Sequence, residues 1–194
     1  MRKNLLKLAA KGAAGFLIAL AVWLGLSVPY TRLLASVSEV VIRLAERPAV
    51  TLISPQGTLM VIDRTDIRRS PSSGQLAVES TDITFNFILL TTLFAASGRA
   101  LSDRNVFGFV GAAVALFFVH VAAVVSFVKA YYALSFGPWS TLHYGLVARK
   151  FWGAAPYFYS VVGVYGFAFA LWWIFRPSPM PALQSASPAR HRRT

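Results

Sequence analysis

The sequence predicts an all-α integral membrane protein, a four-helix transmembrane bundle with a small extracytoplasmic insert made of an amphipathic helix and a β-hairpin. Of its 194 residues, 56% are hydrophobic and only 13% are charged, which is too apolar for an ordinary soluble domain. The cations stand at the ends of long apolar runs and do not cluster with aromatic residues. The formal charge of +12 therefore indicates a lipid bilayer as partner and argues against nucleic-acid binding.

Four uncharged runs are close to or above the length that crosses about 30 Å of hydrocarbon as a helix. They cover residues 12–31, 83–98, 105–128 and 151–175. Residues 130–148 are also uncharged, but Gly137-Pro138 interrupts them and their aromatic content is typical of an interface. We expect a re-entrant or surface-lying segment over residues 130–150, with a fifth crossing as the alternative.

Flanking cations predict the orientation, because positively charged flanks stay in the cytoplasm. Lys11 precedes the first span, Arg99 and Arg104 separate the second from the third, and Arg176 follows the fourth. Both termini are therefore expected in the cytoplasm of a multi-pass protein of the bacterial inner membrane. Residues 1–31 form an uncleaved signal anchor, because no A-x-A-like site follows the apolar run, and the basic tail at 176–194 is expected to be disordered.

The extracytoplasmic insert covers residues 32–82. Between residues 32 and 47, apolar residues recur at steps of three and four, which predicts an amphipathic helix that Pro48 ends. Two β-rich runs at 50–53 and 58–62 flank a Pro- and Gly-containing turn and predict a hairpin, and residues 75–79 offer a third strand. Such a small sheet is marginal alone, so we expect it to rest on the membrane or on a partner.

Polar side chains within the spans are candidate sites, because lipid makes them expensive. They are His120, Asn86 and Ser126. His120 is interpreted as a proton acceptor, a ligand or a hydrogen bond between helices, and Asn86 as a hydrogen-bond donor. The chain has no cysteine and no metal-binding spacing, so neither a metal nor another cofactor is expected.

Aromatic and small residues add two structural expectations. Four tryptophans are interpreted as interface anchors: Trp23, Trp152, Trp172 and Trp173. Gly108 and Gly111, like the pair Gly163 and Gly166, indicate close packing between helices.

The β-rich run from Thr58 to Val61 is followed by Glu79-Ser80-Thr81-Asp82-Ile83 at the head of the second span, and two further motif-like runs come later in the chain. On these runs, residues 48–175 resemble the exosortase and archaeosortase membrane proteins. In that family a hairpin leads into a C-S-G-[IL] motif, and Ser80 stands here where the cysteine would be. The run from Ser126 to Lys129 resembles the family's N-x-x-R, and the run from Tyr159 to Gly163 resembles its H-D-x-x-G. All three positions depart from the active pattern, and the chain is also similar to small cysteine-free membrane proteins of the exosortase H-associated type.

This resemblance implies a non-catalytic accessory protein whose partner is a sorting enzyme of exosortase type, in a protein-sorting or surface-export system, with homo-oligomers as a further possibility. One alternative is an intramembrane hydrolase or transferase that uses Ser80 as nucleophile and Lys129 as base, with Tyr159 in the third position. Another is a transporter or channel subunit built around His120. The residues alone leave both alternatives open.

Overall fold

The computed structural model describes residues 2–66, 76–97 and 102–176, with side chains from residue 10 onward. The described chain is mostly helical and carries one small sheet. Its elements are α1 (Arg2–Leu44), β1 (Thr51–Gln56), β2 (Leu59–Arg64), β3 (Leu76–Glu79), α2 (Ser80–Thr84), α3 (Asn86–Ala96), α4 (Asp103–Leu134), α5 (Pro138–His143), α6 (Leu146–Phe158), a π-helical stretch (Tyr159–Gly163) and α7 (Val164–Phe175).

Among the described ranges, three helical segments are long and apolar enough to cross a membrane. They are Ala10–Leu44, Asp103–Leu134 and Leu146–Phe175, and a shorter apolar helix covers Ser80–Ala96. Large apolar side chains point outward along them; Phe107 is 78% exposed and Ile174 is 70% exposed. An apolar surface of this extent is typical of contact with lipid, and the mostly helical architecture is compatible with the expected membrane protein.

α1 differs from the predicted break after residue 31. It runs through 43 residues, about 64 Å at 1.5 Å per residue, so residues 32–44 continue the first apolar helix. Pro29 lies inside it and removes only one helix hydrogen bond, whereas no residue between 30 and 44 breaks the helical pattern. The buried face differs from the expected one: Leu34 and Ile42 are buried in the main core, whereas four of the apolar residues that recur at steps of three and four are exposed, namely Leu33, Val40, Val41 and Leu44.

The sheet confirms the predicted hairpin and third strand. It is antiparallel in the order β1-β2-β3, with Ile53 opposite Ile62 and Met60 opposite Val78. The turn is tighter than expected: β1 continues through Gln56, and Gly57 enters the two-residue connection at φ 66°. Residue 75, the expected start of the third strand, lies outside the described residues.

The outer edge of β1 is closed by carboxylates of α1 and the segment that follows it. Glu39 accepts a hydrogen bond from the backbone N–H of Ile53 at 2.9 Å, and Glu46 accepts one from Thr51 at 3.1 Å. The next outward position is Pro55, which has no N–H to satisfy. Strand addition at this edge is therefore disfavoured, and the sheet is fastened to α1.

The segment expected at 130–150 does not form a long helix of its own. α4 continues through Leu134, a turn with Gly137 at φ 56° follows, and the six-residue α5 precedes the start of α6 at Leu146. Helical residues at 80–96, interrupted at Phe85, start earlier than the expected second span. The tail at 177–194, most of the loop after β2 and Arg99 fall outside the described residues.

Close packing of α4 against the end of α7 confirms the interpretation of two glycines. A Cβ on Gly108 would overlap the backbone carbonyl oxygen of Phe175, and one on Gly111 would lie 2.8 Å from its ring. α3 and α7 therefore approach α4 at a core that includes Leu90, Leu116 and Ala168.

Candidate functional site

A chain of four hydrogen-bonded side chains crosses the interior of the helical bundle; we call it the interior polar chain. It consists of Tyr30 on α1, His120 on α4, Asn86 on α3 and Tyr159 in the π-helical stretch. The Tyr30 hydroxyl lies 2.6 Å from His120 Nδ1, and His120 Nε2 lies 2.6 Å from Asn86 Oδ1. Asn86 Nδ2 lies 3.3 Å from the Tyr159 hydroxyl. Both His120 and Asn86 are fully buried.

The direction of each bond follows from the far end of the chain. The Tyr159 hydroxyl lies 2.6 Å from the Ile83 carbonyl, which can only accept, so Tyr159 donates there and accepts from Asn86 Nδ2. Asn86 Oδ1 must then accept from His120 Nε2–H, which leaves Nδ1 to accept from Tyr30. Both nitrogens of the imidazole are therefore used. These hydrogen bonds join α1, α4, α3 and the π-helical stretch, which fits the hydrogen-bonding interpretation of His120 and Asn86.

Ser80 is buried at 1% exposure and its hydroxyl contacts a neutral partner. Its Oγ lies 2.5 Å from Thr31 Oγ1, and Thr31 itself donates to the Ser27 carbonyl at 2.8 Å. The Thr31 proton is therefore committed, and Ser80 is the donor between the two hydroxyls. A threonine oxygen is too weak a base to activate a serine nucleophile.

Lys129 lies in a different environment from Ser80. Its Nζ is 4.0 Å from Glu46 Oε1, and in the described part of the chain no hydrogen bond or ion pair joins it to Ser80. Tyr159, the third position of the resemblance, belongs to the interior polar chain. The structure therefore separates the three residues into three environments.

A cavity of about 360 Å³ opens where the ends of α1, β2 and α4 meet α5; we call it the sheet-end pocket. Among the described residues, three cationic and two acidic side chains line it, together with a wall of aromatic rings. The charged members are Arg47, Arg64, Lys129, Glu46 and Asp66, and the rest of the lining is Pro48, Trp139, His143 and Tyr144.

Arg64 is the structural centre of this pocket. Its guanidinium lies between the rings of Tyr132 and Trp139, 4.7 and 4.5 Å from their centroids, and forms a two-point ion pair with Asp66 at 2.9 and 2.7 Å. Hydrogen bonds from Arg64 hold the pKa of Asp66 below its ordinary value. Burial alone would lower the pKa of Arg64, but hydrogen bonding to Asp66 and its charge raise it.

Glu46 joins the pocket to the sheet. Its carboxylate accepts from the N–H groups of Val50 and Thr51, and from the Thr51 hydroxyl at 2.6 Å. That hydroxyl in turn accepts from Tyr132 at 2.8 Å. Both carboxylates of the sheet-end pocket are thus already engaged by the protein's own donors.

Sequence reasoning missed Tyr30, Thr31, Glu46 and Arg64. The first two stand at the end of an apolar run, where a hydroxyl is unremarkable, and their partners are 90 and 49 residues away. Glu46 lies among residues 32–47, where a polar residue fits the solvent side of the predicted amphipathic helix. Tyr30 is a polar ring residue inside the first uncharged run, so the argument used for His120 would have found it.

Ser126 lies on a second cavity, an open apolar groove between α4 and α6. Its hydroxyl donates to the Ala122 carbonyl of its own helix at 2.8 Å, so it joins no other element. The groove has a volume of about 360 Å³ and includes Ala123, Ala154 and Phe158. Small side chains on two helices create this space.

The four tryptophans differ in position. Trp23 is buried at 5% exposure against Tyr30 and Phe87, so it is a core residue and not the interface anchor that was expected. Trp173 is 56% exposed, with the Arg176 guanidinium 3.5 Å above its ring. Trp172 donates from Nε1 to Ser97 at 2.8 Å, and Trp152 is half-buried beside Phe151.

Within the described ranges, no three side chains of His, Asp or Glu gather as a potential set of metal ligands. In comparisons with known proteins, no family model, no curated protein and no solved structure matches the chain. The interpretation of function therefore depends on the geometry above and on the resemblance of the sequence motifs.

Proposed function

We propose that the protein is a non-catalytic accessory membrane protein that works with a protein-sorting or surface-export enzyme of exosortase type. The observation that carries the non-catalytic assignment is the environment of Ser80, which donates its proton to Thr31 and lies apart from Lys129. A serine nucleophile needs an adjacent base and a path for substrate, and Ser80 at 1% exposure has neither among the described residues.

We propose that the chain crosses the bacterial inner membrane four times, with both termini in the cytoplasm and the sheet outside. Three long apolar helices and the shorter helical segment Ser80–Ala96 support this topology. The end of α1, the start of α2 and the end of α4 all contact the sheet or its core, as expected if successive helices cross in opposite directions. The cations Arg104, at the start of α4, and Arg176, after α7, fall at the other end.

The proposed docking face for the enzyme is the exposed side of the sheet. Leu52 is 40% exposed and Leu59 is 36% exposed on neighbouring strands, and both lie on the face opposite the buried Ile53, Met60 and Ile62. Because carboxylates close the outer edge of β1, a partner would contact this face by side-chain packing and not by adding a strand.

Site-specific photocrosslinking tests the docking face. A photoreactive residue at Leu52 should crosslink in native membranes to a sorting enzyme, identified by its own catalytic cysteine motif. A photoreactive residue at Phe107, which is equally apolar but lies on the far half of α4, serves as the matched control and should not give this product. Crosslinking to the same enzyme from neither position, or equally from both, would contradict the proposed face.

A serine-reactive probe tests the non-catalytic assignment. We expect a fluorophosphonate to label wild-type protein and the Ser80→Ala variant equally weakly, because the hydroxyl is neither activated nor exposed. Labelling that disappears in Ser80→Ala and also in Lys129→Gln would instead establish the hydrolase alternative.

A further inference from the structure

The sheet-end pocket holds two cationic side chains, Lys129 and Arg47, with few partners among the described residues. Lys129 is 16% exposed, and within the described residues its ammonium makes no hydrogen bond; its one ion contact, with Glu46, is 4.0 Å long. Arg47 is exposed, and no hydrogen bond or ion pair to it is found in the same part of the chain. Burying the Lys129 ammonium without hydrogen-bond acceptors costs free energy. A bound anion would supply those acceptors, so the pocket is suited to an anion.

The two acidic residues of the pocket do not supply that anion. Asp66 holds Arg64 through two hydrogen bonds, and Glu46 accepts three bonds from the segment at 50–51. Among the residues that the structure describes, three cationic and two acidic side chains of the lining therefore leave one surplus positive charge, which matches a monoanion. A volume of about 360 Å³ is at the lower end of ordinary ligand sites and accommodates a headgroup but not a whole lipid.

The surroundings of the pocket favour a lipid as the source of the anion. Leu44 and Leu142 are 80% and 83% exposed, and each lies within three residues of a residue that lines the pocket. Trp139, stacked on His143 at 4.2 Å, adds a ring of the type found at headgroup depth. Apolar surface beside a cationic pocket fits a molecule whose charged head and acyl chains are joined.

We propose that the sheet-end pocket binds the phosphodiester group of an anionic phospholipid, with Lys129 and Arg47 as the cations that contact it. Arg64 holds the aromatic wall in place but is engaged by Asp66. The acyl chains lie outward along Leu44 and Leu142. This assignment does not depend on a sorting-enzyme partner, since it follows from the pocket alone.

Native mass spectrometry of the full chain in a neutral detergent tests the assignment with phosphatidylglycerol as the probe. Phosphatidylglycerol should bind about tenfold more tightly than zwitterionic phosphatidylcholine, and the double variant Arg47→Gln/Lys129→Gln should lose most of that preference. The single variant Arg47→Gln should also bind phosphatidylglycerol more weakly than wild type does. Because Arg47 is exposed and has no partner among the described residues, this substitution should leave the fold unchanged. Lys150→Gln removes one exposed cation outside the pocket and should bind as wild type does.

Three results would overturn the proposal. The first is equal affinity for the two lipids, and the second is an equal loss in Arg47→Gln and Lys150→Gln, which would mean unspecific attraction of charge. The third concerns the ligand source: glycerophosphoglycerol, the same headgroup without acyl chains, or an acidic hexapeptide binding as tightly as the lipid would assign the pocket to a soluble ligand.

Discussion

The bond between His120 and Asn86 should couple α4 to α3 measurably, and a double-mutant cycle of His120→Phe with Asn86→Leu isolates it. Interhelical hydrogen bonds in membrane proteins average about 0.6 kcal/mol, with a maximum of about 1.7 kcal/mol. Here the two atoms are 2.6 Å apart and both side chains are fully buried, so we expect a coupling near the upper end, about 1.5 kcal/mol. Each single variant should cost about 2–3 kcal/mol, because it leaves a buried partner unpaired.

The assay is equilibrium unfolding of the full chain in mixed micelles of neutral detergent and SDS, followed by circular dichroism. The matched control cycle pairs His120→Phe with Thr92→Val, because the Thr92 hydroxyl donates at 2.8 Å to Ile88 of its own helix and shares no partner with His120. Independent sites add within about 0.4 kcal/mol. A His120–Asn86 coupling no larger than that of the control would refute the interior polar chain as a tie between helices.

Three further predictions concern packing, the sheet and pH. Gly108→Ala should cost about 1–3 kcal/mol of stability because its Cβ meets the Phe175 carbonyl, while Gly25→Ala, with open space around it, should be neutral or stabilising in the same unfolding assay. Glu46→Gln should weaken the attachment of β1 by about 1–3 kcal/mol, and faster amide hydrogen exchange at Thr51 should report it. Hydrogen bonds from Arg64 hold the pKa of Asp66 below its ordinary 3.8, so the carboxylate stabilises the fold above that value and loses this contribution as pH falls through the folded-state pKa. The difference in melting temperature between wild type and Asp66→Asn should therefore be larger at about pH 7 than at about pH 3, and a difference unchanged by pH would contradict the ion pair.

Local sequence signals predicted the local structure well. The β-rich runs around Gly57 gave a hairpin because alternation and turn chemistry act within a dozen residues. The apolar runs located the long helices but not their ends, because α1 continues to Leu44, where β1 packs against it.

Sequence reasoning identified only some of the residues of the candidate site. His120 and Asn86 stood out because polar side chains are rare in apolar runs, but their partners Tyr30 and Tyr159 come from other helices and no spacing rule links them. The pairing of Ser80 with Lys129 came from motif order, and the fold gives each a different partner. Motif order does not specify which helix faces approach one another.

Labelling of single cysteines in intact cells tests the central claim, that the sheet with its pocket and the start of α4 lie on opposite sides of a membrane. Since the chain contains no cysteine, each introduced thiol reports one position. Ser54→Cys, exposed on β1, should react with a membrane-impermeant maleimide in intact cells, whereas Asp103→Cys should react only after permeabilisation. Equal reaction at both positions before permeabilisation would contradict a bilayer between them.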